Sequence, residues 1–396
     1  MLIKTILAIE TSCDETSASV LQVNPRGEPR ANLKVKVLSS VVYSQVLTHR
    51  KTQGVVPEVA AREHSVKIIP VIKKALLDAQ IVLKQSSLSR KEFISKHIDY
   101  IAVTTNPGLF GSLMVGVETA KTLSYLYNKP IIPVNHIHGH LASVLTEKLT
   151  SQTGLDKKAQ KVLFPMITLT VSGGHTNLVL SKKLGDYQIV GKTLDDAAGE
   201  AFDKIAKMLD LDYPGGVEVA RIADQYQQEV VSSKYYVLSE DKRIPHNISP
   251  IIHNTDFNFP RPVLHSHDFN FSFSGLKTAV YYQLRKMDKR CIKIMQGYIC
   301  YEAQKAIVEV LVAKTLKAAE KYQVKTVGLA GGVASNFFLR KKLKFKIKNL
   351  KLKIALSVAP KELCTDNATM IALSAGIDLY LGRNIKSWER VVASSN

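Results

Sequence analysis

The chain has 396 residues, 45% of them hydrophobic and 22% charged, which excludes a mainly disordered or collagen-like protein and leaves material for a large core. Lys plus Arg number 54 against 34 Asp plus Glu, a formal charge of +20, so the chain suits an anionic partner such as nucleic acid unless the excess is only a solvated lysine-rich surface. Its four cysteines form no CxxC pair, and no apolar run reaches the roughly 18 residues that cross a bilayer, so the expectation is a cytoplasmic protein with reduced thiols, no signal h-region and no membrane association.

From the N-terminus, Ile6 to Ile9 and Ser19 to Val23 read as apolar strands around the polar turn ETSCDET. Ile98 to Thr104 reads as a strand, NPGLFGS as a turn, and Ser112 to Tyr127 as a helix with Leu113, Val117, Ala120, Leu123 and Tyr127 on one face. A short strand IIPV follows, and a helix begins near His136. Phe164 to Val171 and Asn177 to Leu180 then repeat the opening arrangement around SGGHT, which predicts two related lobes. Helices are expected over Ala198 to Leu209, Gly216 to Gln228 and Ile292 to Tyr322, with a long surface excursion between them across 229–270. Lys325 to Ala330 reads as a strand entering AGGVASN, 338–350 as a basic helix, and Asn367 to Leu381 as the last helix. Strands alternating with helices give an α/β class.

Four groups of residues have the chemistry of a site. His136 and His140 share a helical face, with His138 turned away, so they suit one transition metal or are two ordinary helix histidines. The position after His136 is Ile137 rather than glutamate, which weakens a zinc-peptidase reading. Asp366 is either the N-cap of the last helix or a third, oxygen ligand. Gly173-Gly174, Gly215-Gly216 and Gly331-Gly332 let main-chain amides approach a phosphate, and neither a P-loop nor a GxGxxG pattern competes with them. Asp14 and Glu15 either position a reacting group or satisfy turn amides, while Asp195, Asp196 and Glu200 suit the positive end of a helix and Asp203 suits ribose hydroxyls. The segment RKKLKFKIKNLKLK at 340–353 is a solvated face or a phosphate-contact surface.

Taken together, ETSCDET, GVVPEVAAREH, PGLFGSLMVG, NHIHGHL, VSGGHT, LDDAAGEAFDK, YPGG, FSFSGLKT, GGVASN and CTDNATMIA occur in the order found in one family. The chain resembles the bacterial TsaD proteins, tRNA adenosine threonylcarbamoyltransferases. That resemblance implies an actin-like ATPase (ribonuclease H-like) fold of two duplicated lobes with a nucleotide and metal cleft, divided as 1–155 plus 367–396 and 156–366. It implies one divalent metal, iron(II), on His136, His140 and Asp366, and an adenylate site formed by Thr170, Val171, Ser172, Gly173, Gly174, Asp203, Gly216 and Asn336. Asp14 and Glu15 would be the catalytic carboxylates. The implied substrates are tRNA and threonylcarbamoyl-AMP. The implied partners are a TsaB-like homologue and a TsaE-like ATPase, with a TsaC-like enzyme making the intermediate. Asn106 stands where the family usually has glycine before PG, Ala368 where glycine is common after DN, and about thirty residues are inserted between YPGG and FPRP, part of the 229–258 excursion. An actin-fold small-molecule kinase and a nucleotide-dependent scaffold are the alternatives; the first is expected to open with an Asp-x-Gly turn, which ETSCDET lacks.

Overall fold

The computed structural model describes residues 3–24, 33–151, 163–237, 257–349 and 353–395. Ten strands form two five-stranded sheets within them. The first holds β1 (Lys4–Glu10), β2 (Glu15–Val23), β3 (Val35–Ser44), β4 (Tyr100–Asn106) and β5 (Ile131–Asn135), in the order β3-β2-β1-β4-β5. The second holds β6 (Met166–Val171), β7 (Thr176–Ser181), β8 (Gln188–Lys192), β9 (Thr326–Ala330) and β10 (Ala355–Val358), in the order β8-β7-β6-β9-β10. Each opens with two antiparallel pairings, then adds two parallel strands on the other side of its first strand. The two sheets therefore share one topology, that of the actin-like ATPase fold, and the repeat seen around ETSCDET and SGGHT is a repeat of whole sheets.

The helices are α1 (Val46–Arg50), α2 (Pro57–Val82), α3 (Arg90–His97), α4 (Phe110–Tyr127), α5 (His136–Ser143), α6 (Thr146–Thr150), α7 (Ala198–Met208), α8 (Gly215–Val237), α9 (Ser274–Leu284), α10 (Lys289–Lys321), α11 (Phe337–Lys348) and α12 (Ala368–Leu381). Strand alternation sends β1 side chains to two cores. Leu7 and Ile9 pack with Ala75, Leu76 and Ala79 of α2 and Val117 of α4, whereas Ile6 and Ala8 join the core that holds α12. Each fully buried Leu or Ile of this kind stabilises the fold by roughly 1.5–3 kcal/mol. Helix α12 is mostly apolar, is buried from Ala368 to Leu379 and lies against the first sheet, with Gly376 facing Leu21 and Val23.

One expectation is corrected. The 229–270 stretch is not a pure surface excursion: α8 runs on to Val237, and Phe257, Phe259 and Phe269 are buried. The segment 238–256 lies outside the described residues. Helices α2 and α9 and strands β3, β8 and β10 were not legible as elements. No helix among the described residues is long and apolar enough to cross a membrane.

Candidate metal and nucleotide cleft

In an open α/β sheet, ligands gather beyond the carboxyl ends of the parallel strands. At those ends in the first sheet lie Glu10, closing β1, and His136, which follows β5. Asn135 caps α5 by accepting from the amides of Ile137 at 2.9 Å and His138 at 3.3 Å, so the helix starts at His136 and projects His136 and His140 from one face. The third group arrives with α12. Its cap is Asn367, which accepts from Met370 N at 2.9 Å; Asp366 is not the cap, and its carboxylate stays free for the histidines.

Asp366 Oδ1 is 3.5 Å from His136 Nε2 and 3.2 Å from His140 Nε2. The donor atoms of the three residues all lie within 4.8 Å of one another. A metal bonded at about 2.0–2.2 Å to neighbouring donors separates them by roughly 3 Å, so the spacing fits an ion. The donor set fits too, because two histidines and one carboxylate leave coordination positions open, an arrangement suited to non-haem iron(II). Both ring nitrogens of buried His140 lack a hydrogen bond among the described residues, even with Asp366 at ion-pair distance. Such nitrogens are costly to bury unless something binds them.

The close approach of α5 and α12 depends on Gly139. A Cβ there would meet Ile371 Cδ1 at 2.8 Å and Met370 Cγ at 3.1 Å, so a larger residue would force the Ile371 and Met370 side chains to repack. Sequence reading missed this role, and it missed Glu10. Fully buried, Glu10 accepts from Ser12 N at 2.5 Å and Thr104 Oγ1 at 2.5 Å, and its Oε2 lies 3.3 Å from His136 Nδ1. Ser12 Oγ is 3.0 Å from the same nitrogen. Such a contact fixes the imidazole tautomer and aims Nε2 at the metal position. The signal was an acid ending the apolar strand ILAIE.

Electrostatics agree with a cation site. Burial alone would lower the pKa of His136, but the carboxylates of Asp366 and Glu10 outweigh it and raise it to about 9. Burial would raise Asp366, and the His136 and His140 rings outweigh it and hold the carboxyl far below its usual range. The pocket favours positive charge between its two carboxylates.

Asp14 and Glu15 follow in the same turn. Burial first, then the neighbouring Asp14 and Asp366, push the Glu15 carboxyl well above its usual range. Of the turn amides, that of Ser12 is satisfied by Glu10. His64 of α2 holds the turn from outside, 2.8 Å from Thr16 Oγ1 and 2.9 Å from the Cys13 carbonyl.

The second sheet supplies the facing wall. Thr170 and Ala330 are register partners on parallel β6 and β9, so Gly173-Gly174 and Gly331-Gly332 emerge side by side. Nothing lies within 4 Å of where a Cβ would sit on Gly173, Gly174 or Gly332: the main chain is bare, as a nucleotide cradle requires. Gly331 has φ +92° and packs on the Val171 carbonyl, which a side chain would not permit. Helix α7 closes behind the turn, with Gly199 against the Ser172 carbonyl and Gly173.

The expected adenylate residues are not equivalent. The Thr170 and Val171 side chains are buried in the sheet, leaving Ser172, Gly173 and Gly174 at the opening. Asp203 accepts from Gly216 N at 3.1 Å, and burial, with Asp14 and Glu200 adding, pushes its carboxyl up to about 6. Asn336 caps α11 through Leu339 N at 2.9 Å and donates to Gln304 Oε1 at 2.7 Å. Asp195 turned out to serve another helix: it accepts from Phe273 N at 2.8 Å and Ser274 N at 3.3 Å at the start of α9. The two walls meet at an Arg50–Asp212 ion pair of 3.3 Å, and His175 of the SGGHT turn places its ring 6.0 Å from that of His136.

The family model for TsaD, tRNA N6-adenosine threonylcarbamoyltransferase, matches residues 36–373. A protein of that name from Thermosipho melanesiensis is 43% identical over 378 residues, covering 95% of this chain and 95% of that one. Another from Thermosipho africanus is 42% identical over 376 residues, covering 95% and 94%. A third from Listeria welshimeri is 39% identical over 381 residues, covering 96% and 92%. With the motif order, the duplicated fold and the histidine–aspartate cluster in place, the chain belongs to the TsaD family of tRNA N6-adenosine threonylcarbamoyltransferases.

Proposed function

We propose that this chain transfers the threonylcarbamoyl group of threonylcarbamoyl-AMP to the N6 amine of the adenosine just 3′ of the anticodon, in tRNAs reading codons that begin with adenine. The observation that carries the proposal is the His136–His140–Asp366 cluster, its histidines buried, set at the strand ends of one sheet and facing the bare glycines of the other. An iron(II) ion on those three residues would supply positive charge and open positions for the threonyl and carbamoyl oxygens.

In the proposed reaction, the main chain of Ser172, Gly173 and Gly174 and the amide ends near Gly216 and Asn336 hold AMP, with Thr170 and Val171 fixing the turn from inside the sheet. Asp203 receives the ribose. The N6 nitrogen forms a bond to the carbamoyl carbon, the bond from that carbon to the phosphate oxygen breaks, and AMP leaves with the electron pair. The proton lost from N6 passes to Asp14 or Glu15. Burial, Asp14 and Asp366 raise the proton affinity of the Glu15 carboxylate, so in its ionised form it is a stronger base than a solvated carboxylate. Positioning of the two substrates within the cleft supplies much of the rate.

The same reading takes the lobes as 1–155 plus 367–396 and 156–366, and places the protein in the cytoplasm with a TsaE-like ATPase and a TsaB-like homologue. An exposed apolar stripe on α2, formed by Val66, Ile69, Leu77 and Ile81, supports docking of the homologue. The test is reconstitution with these partners, threonylcarbamoyl-AMP and tRNA. Threonylcarbamoyladenosine in nuclease digests of the tRNA is the expected product. Phosphorylation of a small sugar or acid without tRNA, and no modified nucleoside, would replace this reading with a kinase.

A further inference from the structure

Helix α11 leaves the glycine cradle directly: its cap, Asn336, lies four residues beyond the bare Gly332. Leu339, Leu343 and Ile347 recur at four-residue spacing and are buried. That pattern fixes the opposite face outward, where Phe337, Lys341, Lys344, Phe345 and Lys348 align. Phe337 is 65% and Phe345 60% exposed, a poor outcome for two aromatic rings on a solvent face unless something covers them.

The charge of this helix is largely unbalanced. Residues 337–349 contain no acid. Lys342 reaches Glu309 at 3.9 Å, Arg340 is turned inward to the Ala334 and Ala359 carbonyls and Cys364, and Lys341 lies within the field of Asp224. Lys344, Lys346 and Lys348 make no ion pair with any described residue. Since the apolar face is already in the core, the helix cannot sink into a bilayer as an amphipathic anchor does.

We propose that this face is a docking strip for the RNA strand that flanks the acceptor adenosine: Lys341, Lys344 and Lys348 contact successive phosphates while Phe337 and Phe345 stack on unpaired bases. The two rings stand eight residues apart, about 12 Å along the helix axis, so they receive separate bases. Stacking on aromatic side chains tolerates any base, and phosphate contacts carry no sequence choice, so the strip supplies affinity and register rather than specificity. The inference rests on tRNA being the substrate, as proposed above, and adds where the RNA lies.

The test is tRNA binding by the full chain across a salt series, followed by transfer with the reconstituted partners. Lys341→Gln with Lys344→Gln and Lys348→Gln is expected to weaken tRNA binding at least tenfold at about 0.1 M salt and to make the log–log salt dependence shallower by about 2–3. Phe345→Ala is expected to weaken it about tenfold with the salt slope unchanged. Threonylcarbamoyl-AMP binding stays within twofold in both, which also shows that the variants fold. Neutralising Arg90, Lys91 and Lys96 on remote α3 should leave tRNA binding within twofold. Equal loss in that control, parental tRNA affinity and slope in the strip variants, or loss of binding to anionic vesicles in place of tRNA, would each overturn the strip. A parent protein that modifies tRNA while the strip variants behave like it refutes this inference alone. A parent that never modifies tRNA refutes the transfer reading instead.

Discussion

Asp366 and His140, far apart in the sequence, meet with a carboxylate oxygen 3.2 Å from a ring nitrogen. The contact exists because α12 returns across the first sheet and because Gly139 lets α5 settle onto Met370 and Ile371. The metal position is thus a property of packing as much as of its three ligands.

Glu10 orients His136, and groups in that position typically change metal affinity by about 10–100-fold. Glu10→Gln keeps the shape and one accepting oxygen for Ser12 N, but removes the charge and puts an amide NH2 where Oε2 now meets Thr104 Oγ1 and His136 Nδ1. Iron(II) affinity should fall by that factor while far-ultraviolet circular dichroism stays parental. Unchanged affinity in a metal titration would remove Glu10 from the site.

Gly199→Ala tests the cradle. Its new Cβ would lie 2.5 Å from the Ser172 carbonyl oxygen and 2.7 Å from Gly173 Cα, both main-chain atoms that cannot rotate away. The turn must shift. Binding of threonylcarbamoyl-AMP, followed by calorimetry, should weaken at least tenfold with metal content unchanged, since overpacking of this kind costs about 1–3 kcal/mol. Parental affinity would show that AMP lies elsewhere.

The folded-state pKa of Asp203, about 6, exceeds its ordinary value of 3.8. Between those values the folded state binds a proton that the unfolded state does not, so stability falls as pH rises through this window and is level above it. Asp203→Asn has no such proton. The melting temperature of the variant relative to the parent should therefore climb between pH 4 and 6 and then stay flat. A constant difference across the series would show that Asp203 is not desolvated as described.

Much of this was legible in the sequence where local chemistry decides structure. Apolar runs bounded by polar turns located β1, β4, β6 and β9, and the repeated hairpin announced two lobes. His136 and His140 were legible as a pair because helical spacing is a local rule. Their union with Asp366 is a long-range contact: the residues alone left Asp366 as an N-cap or a third ligand, and the family resemblance favoured the ligand. Glu10 looked like a strand end until its buried bonds were seen, and the roles of Gly139 and Gly199 depend on neighbours distant in sequence. Helix α2 was unread because Pro70 stands inside it and the polar residues His64 and Gln80 interrupt its buried face.

The exposed stripe of α2 gives a separate expectation for assembly. Ile69→Glu with Leu77→Glu places two charges on a surface that needs apolar contact, so association with the TsaB-like homologue should weaken at least a hundredfold by analytical ultracentrifugation, with threonylcarbamoyl-AMP binding unchanged. Full association would move the partner to another face.

The most direct measurement compares the parent with His136→Ala combined with His140→Ala, recording metal per subunit and threonylcarbamoyladenosine formed in the same reconstituted samples. The parent should carry close to one iron per subunit and modify tRNA, and the double variant should lose both. A variant that lacks metal yet transfers at the parental rate would contradict the account.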